Sequence, residues 1–315
     1  FSHLFEEILQ KNQKISHEYI GREIIQKTEI GDLISRNGFN KKSIADIAFG
    51  YSKHQFVNEI ISGVLSADIM DYLLRDGYFT GAEHAKIDHK RLTYSLDVYK
   101  NKLALDKSAL VNFETMLISR YQMFKAVYFH KTVRAGEVML LEAMRLAEDE
   151  LGLSSLDLDD FLKLTDESVI TKLLNLPEHN FQLKTSKKIA TDYLNRNLFK
   201  CVFERTTSST RNLSTKITEE LKERIAKKSK TDPSEIHFDT STTHSIPMTP
   251  TNKESKSVFL ITKEPKVKAE EFLISDIPLV STMSGKMNIL RVYTQQSNRK
   301  KVEIAAKSIL NDLKL

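Results

Sequence analysis

The chain has no tryptophan, one cysteine and six prolines in 315 residues. The single Cys201 excludes an intramolecular disulfide and fits a reducing compartment, so a cytoplasmic protein is expected. Nowhere do apolar residues run for the ~18 positions that a membrane span needs, and no signal-peptide pattern opens the chain, so no membrane partner is expected. A phosphate loop of the Gly-x-x-x-x-Gly-Lys-Ser/Thr type is absent, as are Gly-x-Gly-x-x-Gly, His-Glu-x-x-His and any cysteine cluster. Nucleotide phosphates, if bound, must then be held mainly by side chains and a metal.

What is there is charge, unevenly placed. The net charge is +5, but residues 131–180 carry 5 Lys/Arg against 11 Asp/Glu and residues 181–230 carry 13 against 5. The basic stretch can meet nucleotide phosphates or nucleic acid, dock on the acidic segment before it, or form solvated helix faces. At this length the chain suits one large or two ordinary domains with a substantial core.

The stretch Ser66 to Gly81 organises the rest. Ser66 is suited to cap a helix, Asp68 lies in its first turn, and Gly77 follows the last periodic residue. At 3.6 residues per turn Asp68, Tyr72, Arg75 and Asp76 share one face, leaving Ile69, Met70, Leu73 and Leu74 for packing. Taken alone, that face is an ordinary solvated one with a local Asp–Arg pair.

The wording Asp68-x-x-Asp71-Tyr72-x-x-Arg75-Asp76, followed by Tyr78-Phe79-Thr80-Gly81, closely resembles the end of the metal site in HD-domain phosphohydrolases. The nearest relatives by this wording are the deoxynucleoside triphosphate triphosphohydrolases. The resemblance implies that Asp68 is the last protein ligand of a divalent metal (Mg, Mn, Fe, Ni or Zn) and that Tyr72 and Asp76 line a deoxyribose pocket. Phe1-Ser2-His3 resembles the tail of the string that follows the family's metal-binding His-Asp pair, and no adjacent His-Asp occurs in the sequence. The pair is expected just upstream of Phe1, so this chain alone is not expected to assemble the metal centre. In family terms His3 and His17 touch phosphates near the scissile bond and Glu6 orients the second histidine. An imidazole near neutral pKa can protonate a leaving oxygen, and a carboxylate behind it fixes its tautomer. Read without the family, each histidine is an ordinary surface or capping residue.

Residues 107–151 give the strongest helical signal. Their centre, from Arg120 to Lys131, resembles the family's pocket helix, in which an Arg contacts phosphates and a Tyr-x-His-Lys closes over substrate. This implies substrate contacts for Arg120, Tyr128, His130 and Lys131, with a planar fork from Arg and a point charge from Lys. Phe124 stands where some dNTP-specific members have a polar residue and Ile69 where some have Lys. An amphipathic core helix with Met123, Val127, Met139 and Leu140 inside is compatible with the same pattern.

Elsewhere residues 1–60 read as helices, with Gly31, Gly38 and Gly50 as punctuation. Gly77 to Gly81 reads as a turn. His84 and His89 lie five apart, without a third zinc-type partner, and read as surface residues. Residues 94–99 and 102–105 suit a hairpin. Residues 152–230 continue helical, with starts at Ser154-x-x-Asp157 and Asp166-Glu167-Ser168. Ile236–Phe238, Ser257–Thr262 and Ile289–Tyr293 are β-rich, 240–256 reads as a mobile loop, and a helix from about Arg299 closes the chain with Val302, Ala305, Ala306, Ile309, Leu310 and Leu313 on its apolar side.

The expected architecture is mainly α: an HD-domain catalytic core over 1–150, a helical lobe over 151–230 and a C-terminal α+β module over 231–315. The expected activity is metal-dependent hydrolysis of a dNTP to deoxynucleoside and triphosphate. The alternatives are an HD hydrolase of another nucleotide or phosphoester, or a nucleotide or nucleic-acid binding module without catalysis. A homo-oligomer, dimer or tetramer, is expected as well.

Overall fold

A computed structural model describes residues 2–13, 16–207, 215–241, 257–262, 268–277 and 288–311. It is mainly α-helical with seven strands among the described residues: β1 (Leu96–Tyr99), β2 (Lys102–Asp106), β3 (Lys200–Thr207), β4 (Ile236–Ser241), β5 (Ser257–Thr262), β6 (Lys268–Leu273) and β7 (Asn288–Thr294). The chain separates into two compact units, the first Phe1–Ile24, Lys131–Ser241 and Asn288–Leu315, the second Ile25–His130 and Thr242–Met287. No helix among the described residues is long and apolar enough to cross a membrane.

The second unit is built on helices Ala67–Thr80 and Leu110–Met123. Ser66 Oγ accepts from the Ile69 N–H at 3.2 Å, satisfying one orphan donor of the first turn. Ile69, Met70 and Leu73 enter a core with Leu65, Leu92, Phe113, Met116, Leu117 and Met123. The first helix does not stop at Gly77. It runs to Thr80 and ends at Gly81, which takes the left-handed φ of 69°. Gly77 is buried inside it because a Cβ there would come within 2.5 Å of Ala85 Cβ. The expected turn at 77–81 is therefore the helix's last turn. The expected hairpin forms between β1 and β2, with Lys100 and Asn101 both at positive φ, the geometry of a two-residue turn matched to strand twist. Strand β5 joins β2 in parallel and β6 pairs β5 at the far edge, giving the order β1-β2-β5-β6.

In the first unit helices Ser2–Gln13, Lys131–Leu146, Asp166–Leu174 and Phe181–Leu194 share a core of Phe5, Ile8, Leu9, Met139, Ala143, Met144, Leu173, Leu183 and Ile189. A three-stranded antiparallel sheet, β3-β7-β4, follows. Tyr293 of β7 belongs to the core of those helices. Leu290 and Val292 of the same strand pack instead with Leu221, Ile225, Val302 and Ala306 of helices Thr215–Ser229 and Arg299–Leu310. Successive side chains point to opposite faces of a strand, so β7 serves both layers.

Several sequence expectations are revised. The 107–151 run is not one helix. After Met123 it widens into a π turn, Phe124–Tyr128, and a new helix starts at Lys131. Residues 152–230 are not helical throughout, because Cys201, Val202, Phe203 and their neighbours form β3. The helix expected from Ser154 is capped by Asp157, whose side chain accepts from the Asp160 N–H, while Ser154 donates to Glu148. The strand-rich tail divides between two sheets. Of the expected loop 240–256, Thr240 and Ser241 end β4 and the remainder lies outside the described residues, as does Leu313.

Candidate functional site

Helix Ala67–Thr80 turns its buried side to the second unit's core, which leaves its polar residues on the other side. Asp68 is exposed in the first turn, and Tyr72 and Asp76 are half-buried one and two turns on. Arg75 pairs with Asp71, and its Nε lies 3.7 Å from Asp76 Oδ1. The other Asp76 oxygen, Oδ2, accepts from the Tyr128 hydroxyl at 2.7 Å. The Tyr72 ring meets the Tyr128 ring edge-on, 6.1 Å between centroids and 75° between planes. Burial, then the bond to Asp76, holds the Tyr128 phenol far above its ordinary range, so it stays a neutral donor.

The π turn is what delivers Tyr128. The Phe129 N–H bonds the Phe124 carbonyl at 2.7 Å, one residue further back than in an α-helix. Phe124 packs edge-on against Tyr128 at 4.9 Å, and the Arg120 guanidinium carbon lies 6.0 Å from the Phe124 ring centre. Arg120, Phe124, Tyr128, Tyr72 and Asp76 thus form one chain of contacts. A carboxylate offers about four acceptor positions, which leaves Asp76 able to receive a ligand hydroxyl between two aromatic rings. Ile69 is buried in the core, so a Lys there would have to leave it. His130 is exposed just after the turn.

The first unit holds a second group. Glu6 Oε2 lies 2.8 Å from His17 Nδ1, with the imidazole 43% exposed and the carboxylate 20%. The carboxylate fixes the proton on Nδ1, which leaves Nε2 in its acceptor form. His3 sits on helix Ser2–Gln13, and its side chain lies outside the described ones. Lys131 lines a pocket of about 290 Å³ with Arg196, Lys200, Arg299 and Cys201. Four cations without an acidic side chain among the described lining residues suit an anion such as a phosphate chain. Burial pushes the Cys201 thiol up, away from the reactive thiolate.

Arg196, Lys200 and Arg299 were not among the residues singled out from sequence. The excess of positive charge over 181–230 marked the first two only as part of a run. Arg299 comes from a segment almost 100 residues on and is brought in by the fold. Among the described residues no three His, Cys, Asp or Glu side chains gather closely enough to hold a metal ion. The described residues do not by themselves compose a metal centre.

Residues 87–314 match the family described as the HD associated region. The chain belongs to that family. This HD-associated chain is 31% identical over 221 residues to the uncharacterized protein YwfO of Bacillus subtilis, covering 64% of this chain and 49% of that protein. It is 27% identical over 221 residues to the deoxynucleoside triphosphate triphosphohydrolase SAMHD1 homolog of Dictyostelium discoideum, covering 65% and 41%. A putative HD domain-containing protein of Acanthamoeba polyphaga mimivirus is 28% identical over 229 residues, 65% of this chain and 50% of that one. The HD-associated chain therefore spans about half the length of the curated relatives it matches. Among solved structures, a hypothetical protein from Aquifex aeolicus superposes with a TM-score of 0.72 at 25% identity, over 97% of this chain and 75% of that one. A phosphohydrolase from Bacteroides thetaiotaomicron, 23% identical, shares the fold with a TM-score of 0.67 over 94% and 76%.

Proposed function

We propose that this chain contributes the nucleotide-holding part of a metal-dependent HD-domain phosphohydrolase that converts a dNTP to deoxynucleoside and inorganic triphosphate. The observation that carries the reading is the Tyr128–Asp76 bond at 2.7 Å beside the Tyr72 ring. It makes a half-buried acceptor flanked by aromatic faces, suited to a sugar hydroxyl and ring. The motif around Asp76 and the name of the Dictyostelium relative support the substrate class. The family resemblance supports assigning Arg120 and His3 to phosphate oxygens, Lys131 to the same role through its charge, and His130 to substrate.

Hydrolysis adds water across the bond between the α-phosphorus and the 5′-oxygen. The water loses a proton and the leaving oxygen gains one. His17, held by Glu6, is assigned that transfer because a carboxylate-oriented imidazole can both take and give a proton near neutral pH. Asp68 is assigned to the metal as one ligand of several.

The test is turnover of a dNTP panel by the full-length protein with Mg²⁺ or Mn²⁺, products identified by mass. Deoxynucleoside with intact triphosphate is expected, and Asp76→Asn and Tyr128→Phe should each lower kcat/KM at least about tenfold, the scale of one lost charge-assisted hydrogen bond. Release of single phosphates would replace this substrate class with another phosphoester. Full activity in Asp68→Ala would remove Asp68 from the metal.

A further inference from the structure

The basic pocket of the first unit raises a mechanical problem. Lys131 is the first residue of its helix, directly after the Phe129–His130 break, and first turns are where helices fray. It also shares the lining of the 290 Å³ pocket with three other cationic side chains, and like charges in one pocket repel. Something must hold the start of this helix in place before an anion arrives.

Two contacts do so, both on the sheet beneath. The Tyr293 hydroxyl donates to the Lys131 backbone carbonyl at 3.0 Å, and its ring is fully buried. One turn along, Arg134 donates twice to Asp239, Nη2 at 2.7 Å and Nε at 3.1 Å, in the bidentate geometry that fixes direction as well as distance. Asp239 of β4 stands opposite Arg291 of β7, which stands opposite Glu204 of β3 and donates to it at 2.6 Å. Arg291 and Tyr293 are two residues apart on β7 and so share a face. The two tethers therefore rest on neighbouring rows of the same sheet face, Tyr293 opposite His237 and Asp239 opposite Arg291.

We infer that Tyr293 and Asp239 are positioning residues: they pin the first turn of helix Lys131–Leu146 so that the Lys131 ammonium is held in the basic pocket in readiness for a polyphosphate. Neither side chain touches the ligand. Tyr293 acts on the backbone that carries Lys131, and Asp239 acts through Arg134, whose charge it neutralises together with Glu137, so that Arg134 adds no further repulsion to the pocket. The inference rests on the assignment of Lys131 to phosphate oxygens.

The test is calorimetric binding of inorganic tripolyphosphate to the full chain, with thermal unfolding of each variant measured in parallel. Lys131→Ala is expected to weaken binding about tenfold, the scale of one charge-assisted contact. Tyr293→Phe keeps the ring and removes only the hydroxyl, and is expected to weaken binding about threefold to fivefold while the protein remains folded. The double variant is expected to bind no more weakly than Lys131→Ala alone, because Tyr293 works through Lys131. Arg134→Lys keeps the charge but loses the fork, and serves as a second, independent variant with the same expectation. Wild-type affinity in Tyr293→Phe and Arg134→Lys, with Lys131→Ala impaired, would overturn the inference and leave the phosphate role of Lys131 standing. Additive losses in the double variant would also overturn it. Wild-type affinity in Lys131→Ala would instead remove the phosphate assignment, and the inference with it.

Discussion

Asp76 and Asp239 each accept a hydrogen bond at 2.7 Å from one side chain, Tyr128 in one case and Arg134 in the other. Their surroundings differ. Asp239 is 3% exposed, with Arg134 on one side and Arg291 Nη1 3.9 Å away on the other. Asp76 is 32% exposed, bonded to a neutral phenol and bordered by a guanidinium that is mainly engaged with Asp71. A buried carboxylate between two cations holds strands in register, since slipping β4 by one residue would strand all three charges. A half-exposed carboxylate between aromatic rings leaves acceptor capacity turned to solvent. A dense cluster of ionisable residues is therefore no guide to a ligand site until its remaining hydrogen-bonding capacity and access are known.

The comparison breaks most directly at Asp239. Asp239→Ala takes the shared acceptor from the buried Arg291 and the partly exposed Arg134, which keep Glu204 and Glu137, and should lower unfolding free energy by roughly 3 kcal/mol in urea titrations. Asp76→Ala should cost at most about 1 kcal/mol by the same measurement, the net worth of one hydrogen bond, while its effect falls on nucleotide binding. Equal losses in the two variants would erase the distinction.

A smaller effect lies two residues from Asp239, at His237. Its ring stacks flat on Phe199 at 4.5 Å, and burial holds its pKa down to about 4, with Glu142 pulling it up and Lys222 and Arg145 pushing it down. The unfolded imidazole takes up its proton near pH 6.5 and the folded one only near 4, so the unfolded state binds more protons between these values. Stability from this group is complete above about pH 6.5 and falls as the pH drops towards 4, by about 3 kcal/mol in total. Replacing His237 with Gln should flatten that part of the stability–pH curve. The smallest effect is at the cap: Ser66→Ala should cost about 1 kcal/mol, read as a lowered urea midpoint, by leaving the Ile69 N–H without its acceptor.

Local signals were readable wherever the chemistry was local. Ser66 and Asp157 cap helices because a short polar side chain reaches the N–H three residues on, although at 154–157 the cap proved to be Asp157 and not Ser154; the helix expected from Asp166 starts there, with Thr165 as its cap. The pairing of Glu6 with His17 was expected from the family resemblance, and the structure brings the two together. Gly77 was misread because a glycine reads as a stop, whereas its role is to admit Ala85 against the helix. Strand β3 was missed in a run of lysine-rich helices because its pairing to β7 spans almost 90 residues of sequence.

By itself, then, the sequence determined the mainly α fold, the buried and polar faces of helix Ala67–Thr80, the β1–β2 hairpin and the closing helix, since each follows from side-chain periodicity and turn chemistry within a few residues. Tertiary structure alone decided the split of the late strands between two sheets, the π turn that carries Tyr128 to Asp76, the ion row from Glu204 to Arg134 and the gathering of Arg299 with Lys131. Each of those depends on groups distant along the chain meeting at hydrogen-bonding range, and no local pattern encodes which partner a buried charge or an open strand edge will find.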